Sequence, residues 1–337
     1  MAENIKVIGK QITDTIVCAW RGERLKGGKF KEYLLKYNTF RRIVQLLMFI
    51  SFSAMVFNIA ALPILLPVLW TWGYEPNVAG DAFTAIQFIF SGWTSFPLVF
   101  PFLAVASFLL VGVLIGKSMC GWVCPFGFVQ DLVSLVKRRK SELSLRTHES
   151  LLYGKYIVLA IALFISVTFY ITRVMGVSAG YERALGIFVN APFTTLSPGE
   201  TLFATLPKMV LGFGHAVFEK PVLDAITGIA SLPALFWVQF AVMVIVVGFA
   251  AFIPRGWCKY FCPHGAIMAI MNKFSFIGLR RDPVKCAKGG CRLCVNACPM
   301  RVPILDLPWE KFSHEECIYC MKCVDACKDK AIKLKYP

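Results

Sequence analysis

Hydrophobic positions in this chain fall into long unbroken runs, not into the spaced stripes of soluble helices. Crossing a bilayer as a helix takes about 18 or more mostly apolar residues. Segments 43–70, 97–116, 156–172 and 234–253 reach or approach that length. The third is the shortest, and it leans on Tyr153 and Lys155 as interfacial anchors. Two intervening stretches, 82–93 and parts of 173–232, are too apolar for plain loops and too short to span. Each predicts a short interfacial or re-entrant helix. The pattern thus predicts a mainly α protein, a polytopic membrane helical bundle of about four spans. After Arg281 the long runs stop, and short apolar runs at 302–307 and 331–334 predict small strands in an α+β C-terminal domain. The chain divides into an N-terminal segment at 1–42, a transmembrane domain at 43–281 and a last domain at 282–337.

Composition agrees. Hydrophobic residues make up 57% and charged residues 17%, against roughly 25% charged in soluble domains. That balance excludes a disordered chain and argues against a soluble enzyme. The first 42 residues are polar and basic, and predict no cleavable signal. Lys and Arg number 10 in 1–42, none in 71–96, 7 in 117–155, 4 in 173–233 and 15 from Arg255 onward. Because basic loops stay on the inner side, these counts predict a multi-pass protein of the inner (cytoplasmic) membrane. The N-terminus, the 117–155 loop and the C-terminal domain all face the cytoplasm on this reading. The net charge of +16 then reflects contact with anionic lipid. No nucleic-acid partner is expected, since no base-reading element accompanies the charge.

The thirteen cysteines carry the candidate chemistry. The second run ends in Cys120-x3-Cys124-Pro125-x-Gly127 and the fourth in Cys258-x3-Cys262-Pro263-x-Gly265. Both read C-x3-C-P-x-G after a helical hairpin, a duplicated unit of the parallel-repeat kind. Residues four apart share a helix face, so each pair aims two sulfurs one way. The proline ends or kinks the helix, and the glycine lets the chain turn. Brought together across the repeat, Cys120, Cys124, Cys258 and Cys262 supply four thiolates, the ligand set of an iron–sulfur cluster or a zinc ion. Reversible disulfides, or plain burial at helix ends, are the other readings of the same residues.

The last 56 residues hold eight cysteines, as Cys286-x4-Cys291-x2-Cys294-x3-Cys298-Pro299 and Cys317-x2-Cys320-x2-Cys323-x3-Cys327. The bacterial two-cluster ferredoxin run is C-x2-C-x2-C-x3-C-P, with its fourth cysteine ligating the other cluster. The second set keeps all these spacings, with Lys328 in place of the proline. The first set departs once, between its first two cysteines. Crossing the fourth ligand assigns one [4Fe–4S] cluster to Cys286, Cys291, Cys294 and Cys327. The other falls to Cys317, Cys320, Cys323 and Cys298. A reducing cytoplasm disfavours disulfides, and zinc ribbons prefer two widely separated C-x2-C knuckles. This is a two-cluster, ferredoxin-like domain.

Other cofactors find no place. The four histidines, His148, His215, His264 and His314, supply no axial pair within the spans, and C-x2-C-H is absent, so no haem is expected. No glycine-rich fingerprint opens a helix, which excludes a nicotinamide site. His264, next to Cys262 and Pro263, is a weak candidate to exchange a proton with quinone. The competing reading has it offset cluster charge together with Lys259 and Arg255. Arg173, Glu182, Arg183, Gln130 and Asp131 read as ordinary interfacial side chains, and Cys18 as a free thiol.

Hairpins ending in two C-x3-C-P motifs, followed by two ferredoxin-type motifs, resemble the NapH/MauN-type membrane polyferredoxins over residues from about 40 to 337. NosR and CcoG share parts of the arrangement. Nothing like the flavin domain of NosR precedes the first run, so no flavin is expected. The resemblance implies a membrane iron–sulfur electron-transfer subunit, moving electrons between the quinone/quinol pool and partner redox proteins of ferredoxin-like or cytochrome type. It implies a redox subunit of a quinol-linked oxidoreductase complex rather than a complete enzyme. The alternative is a metal-reducing or metal-handling assembly factor like CcoG, since soft thiolates suit copper(I).

Overall fold

A computed structural model describes residues 37–56, 82–90, 102, 104–135, 144–185, 193, 196–206, 234–286 and 291–336. Cys18, His215, most of segment 1–42 and the far half of the first run lie outside the described residues.

The described chain is mainly helical. Its helices are α1 (Tyr37–Val56), α2 (Ala82–Phe90), α3 (Ala104–Ile115), α4 (Ser118–Trp122), α5 (Pro125–Val133), α6 (Leu145–Leu152), α7 (Gly154–Val174) and α8 (Ser178–Leu185). There follow α9 (Ala234–Phe252), α10 (Gly256–Tyr260) and α11 (Pro263–Lys273), then β1 (Gly278–Arg281), α12 (Leu293–Asn296), α13 (Lys322–Ala326) and β2 (Ile332–Lys335). The apolar stretch after residue 82 forms the short helix expected of it. α8, in the long segment that follows the third run, is a short helix of mixed polar character with no buried residue, not the apolar helix expected there.

Among the described residues one helical stretch, Arg146–Val174, is long and apolar enough to cross a membrane: it runs through most of α6 and all of α7, 29 residues, and its most apolar 18 residues have a mean hydropathy of 2.2. Only 17% of its most apolar window is buried, unlike the core helix of a soluble protein. The shortest apolar run therefore lies on the longest helix. Its outer face carries exposed Ile157, Ile161, Phe164, Ile171 and Val174, while Ala162, Ser166 and Phe169 turn inward. Steps of three and four residues keep each set on one face. Lys155 corrects an expectation, for it is buried beneath the bundle rather than anchored at an interface. Tyr153 is exposed.

Packing between the repeats is reciprocal. α5, which follows the first cysteine motif, packs on α9, which precedes the second. α11, which follows the second motif, packs on α3, which precedes the first. Gly112 permits that second contact, since a Cβ there would sit 3.2 Å from Met268 and Met271. This exchange brings two motifs 138 positions apart to one place.

In the C-terminal domain β1 and β2 pair antiparallel, Leu279 opposite Leu334 and Arg281 opposite Ile332. The run at 331–334 thus falls mainly on a strand, but its partner precedes residue 282. The run at 302–307 is not a strand. Pro303 denies the ladder a donor, and the Arg281 guanidinium takes the carbonyls of Ile304 and Leu305 at 3.1 and 2.9 Å. Met300, Val302, Ile304, Phe312, Ile318, Tyr319 and Ile332 form the core, and Cys120 and Trp122 of the first motif pack against it.

Candidate functional site

Each C-x3-C-P-x-G motif folds the same way. Its second cysteine caps a new helix, Cys124 at ψ 115° before α5 and Cys262 at ψ 116° before α11, with the proline at the first helical position. Proline suits that position because its missing N–H has no helical partner to lose. The glycine then lies against the preceding turn. A Cβ on Gly127 would stand 3.1 Å from the Cys120 carbonyl, and one on Gly265 would stand 2.8 Å from that of Cys258. The duplication read from spacing is therefore a duplication in backbone geometry.

The four motif cysteines are gathered. Burial pushes the Cys120 thiol up to about 11, with Lys117 opposing and Cys258 adding. Burial, then Cys258 and Cys120, pushes Cys124 up to about 12. Cys262 is raised by burial and by Cys258, Cys120 and Cys124. Buried sulfurs that crowd one another stay protonated alone, whereas a bound metal ion deprotonates its thiol ligands outright. None of the described cysteines is in a disulfide. Gln130 Nε2 donates to Cys258 Sγ at 3.1 Å.

Sequence reasoning offered Arg255 and Lys259 as offsetting cluster charge, but missed Arg41, Lys117, Lys155 and Glu316 and the role of Asp131 around this site. Arg255, fully buried and left-handed at φ 55°, binds both carboxylate oxygens of Asp131 at 2.8 Å. It also donates to the Cys120 carbonyl at 2.7 Å. Arg41 joins Asp131 at 3.3 Å. On the other side Lys117 donates to Glu316 at 2.8 Å, and Lys155 donates to the other oxygen of that carboxylate. Lys117 and Arg255 each stand three residues before the first cysteine of a motif. The duplicated pattern is thus longer than C-x3-C-P-x-G: it begins with a cation, and that signal was available in the sequence. Gln130 and Asp131, read as lipid-facing, instead touch the site.

In the C-terminal domain a small, mostly apolar cavity is lined by Cys298, Cys317, Cys320 and Cys323, the four residues expected to share one cluster. Tyr319 and Met321, between those cysteines, are left-handed at φ 46° and 58°. Such reversals turn successive N–H groups into an anion-binding nest. Val302 N donates to Cys298 Sγ at 3.4 Å, and Ala331 N to Cys327 Sγ at 3.3 Å. For the other expected cluster, burial raises the buried Cys294 thiol, and Cys286 and Cys327 add to that. Cys291 is exposed beside residues outside the description. Among the described residues no three such side chains converge as a single metal ion requires.

His264 Nε2 accepts from Phe83 N at 3.3 Å and meets the rings of Phe83 and Phe108 edge-on, so it supports the start of α2. Arg173, Glu182 and Arg183 are exposed. His148 Nδ1 lies 2.7 Å from Tyr260 Oη, and His314 Nδ1 accepts from Glu316 N at 3.1 Å.

The two modules meet at this site. Trp122 Nε1 donates to the Tyr319 carbonyl at 2.8 Å. Asp325 accepts from the first amides of α1, Tyr37 at 3.2 Å and Asn38 at 2.8 Å, where a carboxylate satisfies free N–H groups. Nests, thiols and a cysteine-lined cavity in this order define a ferredoxin-type 4Fe-4S protein. A 4Fe-4S binding domain matches twice, at residues 96–142 and 234–281, and a 4Fe-4S dicluster domain matches 285–332.

The chain resembles the NapH/NosR/NirI/YccM-type polyferredoxins and is a ferredoxin-type 4Fe-4S electron transport protein. An uncharacterized protein of Methanocaldococcus jannaschii is 29% identical over 66% of this chain and 66% of its own length. The ferredoxin-type protein NapH of Haemophilus influenzae is 27% identical, over 67% and 64% respectively. The protein NirI of Paracoccus denitrificans is 27% identical over 76% of this chain and 32% of itself. The chain thus spans from a third to two thirds of these relatives' lengths. No solved structure matches it.

Proposed function

We propose that the chain is a membrane-embedded redox subunit that links the quinone/quinol pool to a partner redox protein on the cytoplasmic side. Cys286, Cys291, Cys294 and Cys327 would hold one [4Fe–4S] cluster, and Cys317, Cys320, Cys323 and Cys298 the second. Cys120, Cys124, Cys258 and Cys262 would hold a third centre at the inner membrane boundary. When bound, such clusters supply one-electron transfer over a wide range of potentials.

The observation that carries this reading is the packing of Cys120 and Trp122 directly against the core that lines the cysteine cavity. A domain merely tethered to a membrane anchor would leave the two sets of sulfurs apart. Here Gly121 brings the first motif into backbone contact with Ile318, one residue from Cys317. The exposed apolar faces of α1, α7 and α9 support the four-span reading. Ile43, Leu47, Ile50, Val238 and Ile245 stand outward with the α7 residues, a larger apolar surface than soluble monomers expose. No catalytic end for a substrate is in view among the described residues, so a partner would complete the reaction.

The test is to purify the chain anaerobically in mild detergent and count iron and acid-labile sulfide. Two cubanes give about eight of each. We expect about ten to twelve, falling to about eight when Cys124 and Cys262 are replaced by serine. A wild-type value of about eight, unchanged in that variant, would remove the third centre. Absence of cluster reduction by a quinol analogue would remove the quinone link.

A further inference from the structure

Among the described residues, the charges between the two modules do not balance. Asp131 is held between Arg255 and Arg41, and Glu316 between Lys117 and Lys155. Three of the four cations are fully buried, and Arg41 is 1% exposed. Four cations face two carboxylates, which leaves an excess of two positive charges in a region closed to water. Uncompensated charge in such a place is strongly unfavourable. Lys259 acts on Cys298 and is counted with the dicluster domain; Lys322, partly exposed, acts on Asp131 and then on Cys320, and adds to the excess rather than offsetting it.

The excess faces the motif cysteines. Lys117 and Arg255 are equivalent in the repeat, each three residues ahead of a first cysteine. Arg255 lies on the Cys120 carbonyl and beside Gly127, and Gln130 reaches from the helix that carries Asp131 to Cys258 Sγ. Two disulfides, or four neutral thiols, would carry no charge and leave the excess uncompensated. Four thiolates around an oxidised cubane carry about −2 in total, which matches the excess of the four buried cations in size and offsets it in sign.

Building on the third centre proposed above, we propose that Lys117 and Arg255 are its charge-compensating pair, one from each repeat, and set its reduction potential. They are positioning residues that act through the field at the four thiolates. The Asp131–Arg255–Arg41 half also reaches toward Cys320 and the Glu316 half toward Cys317, so the nearer ferredoxin cluster feels the same pair more weakly. A cation close to a centre favours its reduced, more negative form. Losing one cation therefore lowers the potential, and losing a carboxylate raises it.

The arrangement makes single substitutions informative. In Arg255→Gln the Asp131 carboxylate keeps Arg41, and in Lys117→Gln the Glu316 carboxylate keeps Lys155, so neither carboxylate is orphaned. The experiment is an anaerobic redox titration of the full chain in detergent. It is followed by electron paramagnetic resonance, with iron and sulfide counted on each sample. Arg255→Gln and Lys117→Gln are expected to raise the oxidised-to-reduced ratio of the third centre at least tenfold at fixed poise, a 59 mV fall for one electron. Asp131→Asn is expected to move it the other way. Lys273→Gln, which removes an exposed cation paired to Glu315, is the control and is expected to leave it unchanged. If one cation variant fails to assemble, its repeat-equivalent reads the same sign. Iron above eight with Arg255→Gln and Asp131→Asn shifting in one direction, or with every shift below threefold, would overturn the role of the pair alone. Iron at about eight in the wild type would overturn the third centre and this inference together.

Discussion

Gly121→Ala isolates the junction between the two modules. Within α4 the change is favourable by itself, since alanine in a helix interior exceeds glycine by about 0.5–1 kcal/mol. The tertiary effect opposes it. A Cβ at Gly121 would stand 2.2 Å from the Ile318 carbonyl oxygen, more than an ångström inside ordinary contact, and that atom is backbone. α4 cannot retreat freely, because the Gly121 carbonyl is held by Gln45 at 2.9 Å and by Arg41 at 3.2 Å. The C-terminal domain must yield instead, stretching the bond from Trp122 to the Tyr319 carbonyl. Overpacking costs about 1–3 kcal/mol, and the lost hydrogen bond about 1 kcal/mol. The net expectation is a loss of about 1–3 kcal/mol at the junction, with slower reduction of the C-terminal clusters by quinol. The assay is thermal unfolding in detergent, followed by bleaching of the iron–sulfur absorbance, with limited proteolysis to detect a detached domain. Gly248→Ala is the control, since no atom lies within 4 Å of its Cβ position; it is expected to be neutral or slightly stabilising. A Gly121→Ala protein as stable as Gly248→Ala, with unchanged reduction rates, would refute the docked junction.

Two further perturbations probe the same interface. Glu316→Leu leaves Lys117 and Lys155 facing each other without a carboxylate, and removal of one partner from a buried ion pair costs about 3–5 kcal/mol; detergent melting should show loss of the C-terminal domain. Burial alone would raise the Glu316 carboxyl, but the two ammonium groups hold it down to about 2. Its folded value lies below the ordinary 4.5, so its stabilisation is complete above that pH and is lost as pH falls toward about 2. The stability gap between wild type and Glu316→Gln, read by pulse proteolysis, should therefore narrow below pH 4.5; a gap independent of pH would contradict the pairing. Asn272 accepts from Lys117 N at 3.0 Å and donates to the carbonyls of His314 and Cys317 at 2.6 and 3.0 Å. Asn272→Leu strands three groups and should cost about 3 kcal/mol or more, at roughly 1–3 kcal/mol for each unsatisfied group. Asn272→Asp keeps only the acceptor and should fall between the two on the same melting assay.

Much of the site was legible because its signals are local. The C-x3-C-P-x-G duplication, the ferredoxin spacings and the short helix after residue 82 depend on residues a few positions apart. The cation ahead of each motif was equally local; Arg255 was read as offsetting cluster charge, but its repeat equivalent Lys117 was passed over because the two differ in kind. The strand expected at 302–307 failed because Pro303 and the Arg281 guanidinium took its backbone groups out of any ladder. Lys155 looked like an interfacial anchor because its sequence neighbours are apolar, yet its partner lies 161 positions away. Gln130 and Asp131 looked like lipid contacts for the same reason, with partners 128 and 124 positions away.

By itself the sequence determined which atoms can ligate: cysteine spacing limits how sulfurs meet through a few covalent bonds, and hydrophobic run length limits what crosses a membrane. Tertiary structure alone decided what surrounds those sulfurs. The exchange of α5 and α11 between repeats, the seating of Ile318 against Gly121 and the excess of buried cations all join segments about ninety or more residues apart. Coulomb energy and desolvation depend on where such segments come to rest, and no local pattern encodes that.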